Sequence, residues 1–112
     1  MWKIRKSETF KAQLLAFSRD YKERVSLDVA RNFVYDVNNA ITFVARNPFM
    51  CSLYTEARHH EEVKAFEFRK WSLKNFPHIV LFRVEGETII LQAIYADRMN
   101  IAARFPSDFG DK

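Results

Sequence analysis

The segment from His78 to Tyr95 most limits what this 112-residue chain can fold into. Two apolar runs, His78-Ile-Val-Leu-Phe-Arg-Val84 and Thr88-Ile-Ile-Leu-Gln-Ala-Ile-Tyr95, flank the acidic turn Glu85-Gly86-Glu87. Both are rich in β-branched and aromatic residues and too short to be paired helices, so they predict a tight antiparallel hairpin. Ahead of them, Val63 to Trp71 sets Phe66 and Phe68 on one side of an extended segment and Glu67 and Arg69 on the other, the period-two pattern of another strand. The hairpin is therefore expected in the middle of a sheet.

The first half of the chain changes period. Trp2 and Ile4 alternate with Lys3 and Arg5, which predicts a short first strand. Ser7 then offers an N-cap, Glu8 suits the positive end of a helix, and Phe10, Leu14, Phe17 and Tyr21 share one helical face. A longer helix follows, with a stripe of Val25, Val29, Phe33, Val37, Ile41 and Val44 that ends at Asn47-Pro48, where proline forbids continuation. The apolar stripe of such a helical hairpin must be buried, and one face of the sheet is the available partner. Phe49 to Glu62 lacks a period and reads as a loop; Asn100 to Phe105 reads as one helical turn before Pro106 and a polar tail. The expected order is β-α-α-β-β-β in a single α+β domain over residues 1–112, with the N-terminal helical hairpin packed on a small, twisted antiparallel sheet.

Composition narrows function mainly by exclusion. At 48% hydrophobic residues with eleven Phe, the chain can bury a modest core. No apolar stretch resembling a signal peptide follows the first six residues, and no run approaches the ~18–20 apolar residues of a membrane span, so the expected location is the cytoplasm. Cys51 is the only cysteine and reads as a small buried hydrophobe. Two glycines are too few for phosphate-cradling loops, which removes ordinary nucleotide-binding enzymes, and no cofactor is expected. The formal charge of +4 is concentrated in the N-terminal half. One further cationic block lies between Phe68 and Val84, where Arg69, Lys70, Lys74 and Arg83 occur without an acid. That block suits phosphate or an acidic protein, or else keeps a sheet edge soluble and unpaired.

His59-His60-Glu61-Glu62 lacks metal-ligand spacing, because neighbours in extended chain point to opposite sides and no cysteine cluster accompanies them; no metal is expected. Ser52 and Ser72 lack the surroundings of a nucleophile, and Glu85 and Glu87 belong to a turn. His78, beside the cationic block, is the one imidazole placed to exchange a proton, although a strand-end His also reads as a surface or interface residue. The phenylalanines could stack on bases, but Phe10, Phe17, Phe33, Phe66, Phe68 and Phe82 fall at core periodicity.

Element order and the wording Arg69-Lys-Trp71-Ser-Leu73-Lys-Asn-Phe76-Pro77-His-Ile-Val-Leu-Phe82-Arg83-Val84-Glu-Gly86 resemble the RelE/ParE superfamily, the toxins of type II toxin–antitoxin modules. Asn47-Pro48 fits the end of the family's second helix. Ala93-Ile-Tyr95-Ala-Asp-Arg98 stands where many ParE-like members have a hydrophobic pair, a His, two variable residues and an Arg, with Tyr95 replacing the His. The resemblance implies one of two activities. RelE-like toxins cleave messenger RNA in the ribosome; ParE-like toxins poison DNA gyrase without cutting nucleic acid themselves.

By the same alignment, the RelE branch's strand-start Arg corresponds to Ile79, and the last-strand His of some ribonuclease relatives corresponds to Asp97 or its neighbour. Both catalytic places are vacant, which favours a ParE-like, non-enzymatic reading: growth inhibition and plasmid stabilisation through binding of gyrase. The target-binding residues expected on this reading are Arg69, Lys70, Arg83, Tyr95, Arg98 and Arg104. The ribonuclease alternative would be a metal-independent endonuclease acting on ribosome-bound mRNA through His78, Tyr95, Arg83 and Arg69. A third reading is an inactive member that only binds protein. In the toxin readings a cognate antitoxin is the second partner, expected in a groove marked by Trp2, Phe49, Tyr54 and Trp71.

Overall fold

The computed structural model of the protein describes residues 2–54, 67–99 and 101. Strand β1 (Lys3–Lys6) leads into helices α1 (Glu8–Arg24) and α2 (Leu27–Arg46), then a single 3-10 turn (Pro48–Met50), and strands β2 (Ser52–Leu53), β3 (Phe68–Ser72), β4 (His78–Glu85) and β5 (Thr88–Ala96). The sheet order is β1-β5-β4-β3-β2. Strands β3 to β5 pair antiparallel as expected; β2, inside the segment expected to be a loop, adds antiparallel to β3, and β1 joins β5 in parallel, with Lys3 opposite Thr88 and Lys6 opposite Leu91. The sheet is therefore mixed and five-stranded. Everything from α1 through β4 lies between β1 and β5 in the chain, so a long connection rather than a turn brings them together in parallel.

Local chemistry sets the element ends. Ser7 Oγ accepts from Phe10 N at 3.0 Å, and Ser26 Oγ accepts from Val29 N at 3.1 Å, capping α1 and α2. Val25 lies at the α1 C-cap and is 62% exposed, so it does not belong to the second helix; the buried stripe of α2 is Ala30, Phe33, Val37, Ala40 and Val44. Pro48 begins the 3-10 turn and, as expected, ends α2. In the hairpin, Glu85 faces Thr88 across Gly86 and Glu87. Gly86 has φ +61° and no described non-glycine residue has positive φ, the pattern of a type II′ turn, which matches the strands' right-handed twist.

Both faces of the sheet are covered. On the helix face, Val80, Phe82, Ile89, Leu91 and Ile94 pack with Phe10, Phe33, Val37 and Val44 of the helical hairpin, with Cys51 buried among them. On the opposite face, Phe68, Leu81, Ala93 and Tyr95 cluster with Tyr54, Met99 and Ile101. Residues of β5 change sides between Leu91 and Ala93, because Leu81 faces Ala93 while Phe82 faces Leu91, leaving Gln92 as a β-bulge.

Helix α1 completes that bulge. Ser7 N donates to Leu91 O at 3.0 Å and Ser7 Oγ donates to Gln92 O at 2.7 Å. Gln13 Oε1 accepts from Ile94 N at 2.8 Å. β1 stops opposite Leu91, so two side chains from the chain just beyond it take over the backbone groups that a longer strand would have paired.

Candidate interaction surfaces

The residues expected to grip a target divide between the two faces of the sheet. Arg83 stands opposite Phe68 and Lys70 opposite Leu81, on the face that also carries Tyr95. Arg69 stands opposite Phe82, on the helix face. Its Nη1 donates to Cys51 O at 2.8 Å and to Phe49 O at 3.3 Å, while the guanidinium lies 5.3 Å from the Phe49 ring centroid. Arg69 thus ties the 3-10 turn to β3, with Glu67 at 3.1 Å on its outer side. Arg83 is largely buried and pairs with Glu85, whose carboxyl it holds below the usual range by hydrogen bonding. Tyr95 is fully buried, so it is no surface contact as it stands. Arg98 is exposed just after β5, and Arg104 lies outside the described residues, as do His59-His60-Glu61-Glu62, Phe66 and all of the Asn100–Phe105 turn except Ile101.

His78 is not the surface residue that its strand-end position suggests. It shares the parity of Val80 and Phe82, so it points at the helical hairpin, and it is only 3% exposed. Its ring sits 4.6 Å from Phe17 and 4.7 Å from Phe33, with Tyr21 and Phe76 completing an aromatic cage. Nδ1 has no hydrogen-bond partner among the described residues. Burial pushes the imidazole pKa down, opposed by Asp97 and Asp36 and assisted by Arg98. A hollow of about 350 Å³ edged by Asp20, Tyr21, Asp97 and Arg98 opens beside it. Tyr95 pairs with Ile79 on the other side of the sheet, so the constellation of His78, Tyr95, Arg83 and Arg69 is not assembled. Residue parity along β4, set by Val80 and Phe82, carried that signal.

Of the four aromatics expected to mark one groove, Trp2 and Phe49 meet, while Trp71 and Tyr54 lie apart from them. Trp2 meets Phe49 edge-on at 5.7 Å, Trp71 stacks on Phe43 at 4.2 Å, and Tyr54 is buried in the opposite-face cluster. A larger apolar hollow lies elsewhere, along the outer side of the helical hairpin, with a volume of about 630 Å³. Leu15, Leu27, Ala30, Val34 and Tyr35 form its floor, and Arg19, Lys22 and Arg31 stand along it with no carboxylate in its lining. Leu15 and Leu27 are about half exposed and Tyr35 is 70% exposed, an unusual concentration of accessible apolar surface on a helix pair. The helix-face periodicity concealed it, because these residues lie off the stripe that faces the sheet. Among the described residues no group of three or more His, Cys, Asp or Glu side chains converges on a metal position, and no helix is long and apolar enough to cross a membrane.

No protein-family model matches the chain, and no curated protein matches it. Among solved structures it is similar to the chromosomal ParDE TA system from P. aeruginosa, at 19% sequence identity and a TM-score of 0.68, over 86% of this chain and 96% of that one. The helical hairpin, the mixed sheet and this superposition together give the chain the same α+β fold as that chain of the ParDE system.

Proposed function

We propose that the protein is the toxin of a type II toxin–antitoxin module, that it inhibits growth by binding DNA gyrase, and that a cognate antitoxin neutralises it. The observation that carries the non-enzymatic half of this reading is the separation of His78 from Tyr95 and Arg83 by the thickness of the sheet. Metal-free RNA cleavage needs a proton acceptor and a cation converging on one phosphate, within hydrogen-bond reach of the reacting atoms. The His78 imidazole is packed among Phe17, Phe33 and Phe76, and the hollow that it lines sets Asp97 and Arg98 beside it, not Tyr95, Arg83 or Arg69. Binding asks less: an exposed, rigid surface with a few anchoring side chains.

The antitoxin half rests on the hollow along the helical hairpin. An amphipathic helix bearing acids along its flanks would bury the exposed Leu15, Leu27 and Tyr35 and meet Arg19, Lys22 and Arg31. Burial of apolar area supplies affinity there, while the cations favour an acidic partner and speed its approach.

Induced expression with and without the product of the adjacent reading frame tests both halves. Growth arrest with accumulating double-strand breaks, relieved by co-expression, is expected. Rapid loss of translated transcripts would return the ribonuclease reading, and normal growth would leave only a protein-binding role.

A further inference from the structure

A second surface is built from a different chemistry. Along α2, Tyr35, Asn39 and Phe43 follow at intervals of four residues and therefore share a stripe roughly 12 Å long. The β3–β4 loop lies beside it, tied down by Asp36: Oδ2 accepts from Asn75 N at 2.9 Å and Oδ1 from Asn75 Nδ2 at 3.3 Å. On either side of this tie lies a hollow, one of about 350 Å³ containing Tyr35 and one of about 330 Å³ containing Phe43, Trp71 and Lys74. Asn39 and Asn75 line both. The first hollow thus sets the exposed Tyr35 ring beside the carboxamides of Asn32, Asn39 and Asn75, and the second sets Phe43 beside those of Asn39 and Asn75.

The details fit unpaired bases better than an apolar peptide. Phe43 lies flat on Trp71, 14° from parallel, and remains 45% exposed, so its outer face continues a stack. Carboxamides present a donor and an acceptor side by side, the complement of a base edge. Asp36 lines both hollows, but it is only 5% exposed and both of its oxygens are engaged by Asn75, which fixes that amide and leaves little of the carboxylate accessible. Lys74 stands at the rim, within the acid-free stretch from Phe68 to Val84.

We infer that the α2 stripe and the β3–β4 loop form a binding site for single-stranded nucleic acid, with two unpaired bases set against Tyr35 and Phe43, their edges read by Asn39 and Asn75, and a phosphate held by Lys74. The site lies on the helix side of the molecule and does not depend on the toxin reading.

Fluorescence anisotropy with fluorescein-labelled single strands of about 12 nucleotides, as DNA and as RNA, against a DNA duplex of the same sequence, tests it. Saturable binding of either single strand in preference to the duplex is expected. Phe43→Ala and Asn39→Asp should each weaken it at least about fivefold, the loss of one base stack or the gain of a facing charge. Lys74→Gln should reduce the slope of log affinity against log salt by about 0.7. Asn39 and Lys74 are exposed, so their variants keep the test valid should Phe43→Ala fail to fold. Absence of saturable binding overturns the inference. So does equal affinity for duplex, or binding that survives all three variants and is lost instead when Lys3, Arg5 and Lys6 of β1 become Gln. Growth arrest, or its absence, bears on the toxin reading alone.

Discussion

Ser7 is where the fold concentrates most risk in one side chain, and Ser7→Ala is the perturbation that exposes it. The hydroxyl accepts from Phe10 N and donates to Gln92 O, in a residue 3% exposed. Loss of an N-cap costs about 1 kcal/mol. The Gln92 carbonyl then stays buried without its partner, a further ~1–3 kcal/mol. Together the change should remove about 2–4 kcal/mol from a total stability of roughly 5–15 kcal/mol, and lower Tm by roughly 8–16 °C. Ser26→Ala is the internal control, because Ser26 caps α2 through Val29 N and holds no bulge. It should cost only about 1 kcal/mol. Denaturant unfolding of both variants measures the difference. Equal losses for Ser7→Ala and Ser26→Ala would refute the claim that α1 completes the β5 bulge.

Three further outcomes follow from the same geometry. His78 is held neutral in the folded state by burial, with its pKa below the ordinary 6.5, so the unfolded chain takes up the proton first; stability should be full above that pH and fall as pH drops below it. Urea midpoints from pH 7.5 to 5 should show this fall, His78→Leu should flatten it, and an unchanged slope in the variant would show that His78 does not titrate on unfolding. Arg69→Lys should cost about 1–2 kcal/mol, measured by thermal melting, because an ammonium does not reproduce the fork whose Nη1 reaches Cys51 O and Phe49 O while Nη2 meets Glu67; a native Tm would place Arg69 in binding alone. Gly86→Ala should cost about 1–2 kcal/mol in denaturant unfolding from its positive φ alone, since a Cβ there meets nothing within 4 Å; a neutral effect would mean that the turn changes type.

Signals confined to a few consecutive residues were readable in the sequence. Ser7, the proline after Asn47, and Glu85-Gly86-Glu87 each terminate or turn the chain by their own stereochemistry. The parallel pairing of Lys3–Lys6 with Thr88–Leu91 was not readable, since it joins segments some 85 residues apart and no local period reports the neighbour of a strand. The bulge at Gln92 was half visible: Ile89, Leu91 and Ile94 break the period of two, but only the register to β4 shows which residue is skipped. Among the site residues, Arg69 and His78 were assigned by charge and chemistry when strand parity, with Trp71 and with Val80, already turned both toward the helices. Exposure of Leu15, Leu27 and Tyr35 has no sequence signature separate from an ordinary amphipathic helix, because it depends on how the two helices splay.

The most direct measurement of the proposed activity is DNA supercoiling and cleavage by purified gyrase in the presence of this protein, beside a translating ribosome reaction with the same preparation. The account predicts accumulated linear DNA from the gyrase reaction, undiminished in His78→Leu provided that variant folds, and intact messenger RNA on the ribosome. Codon-positioned cuts in the messenger with gyrase unaffected would contradict it.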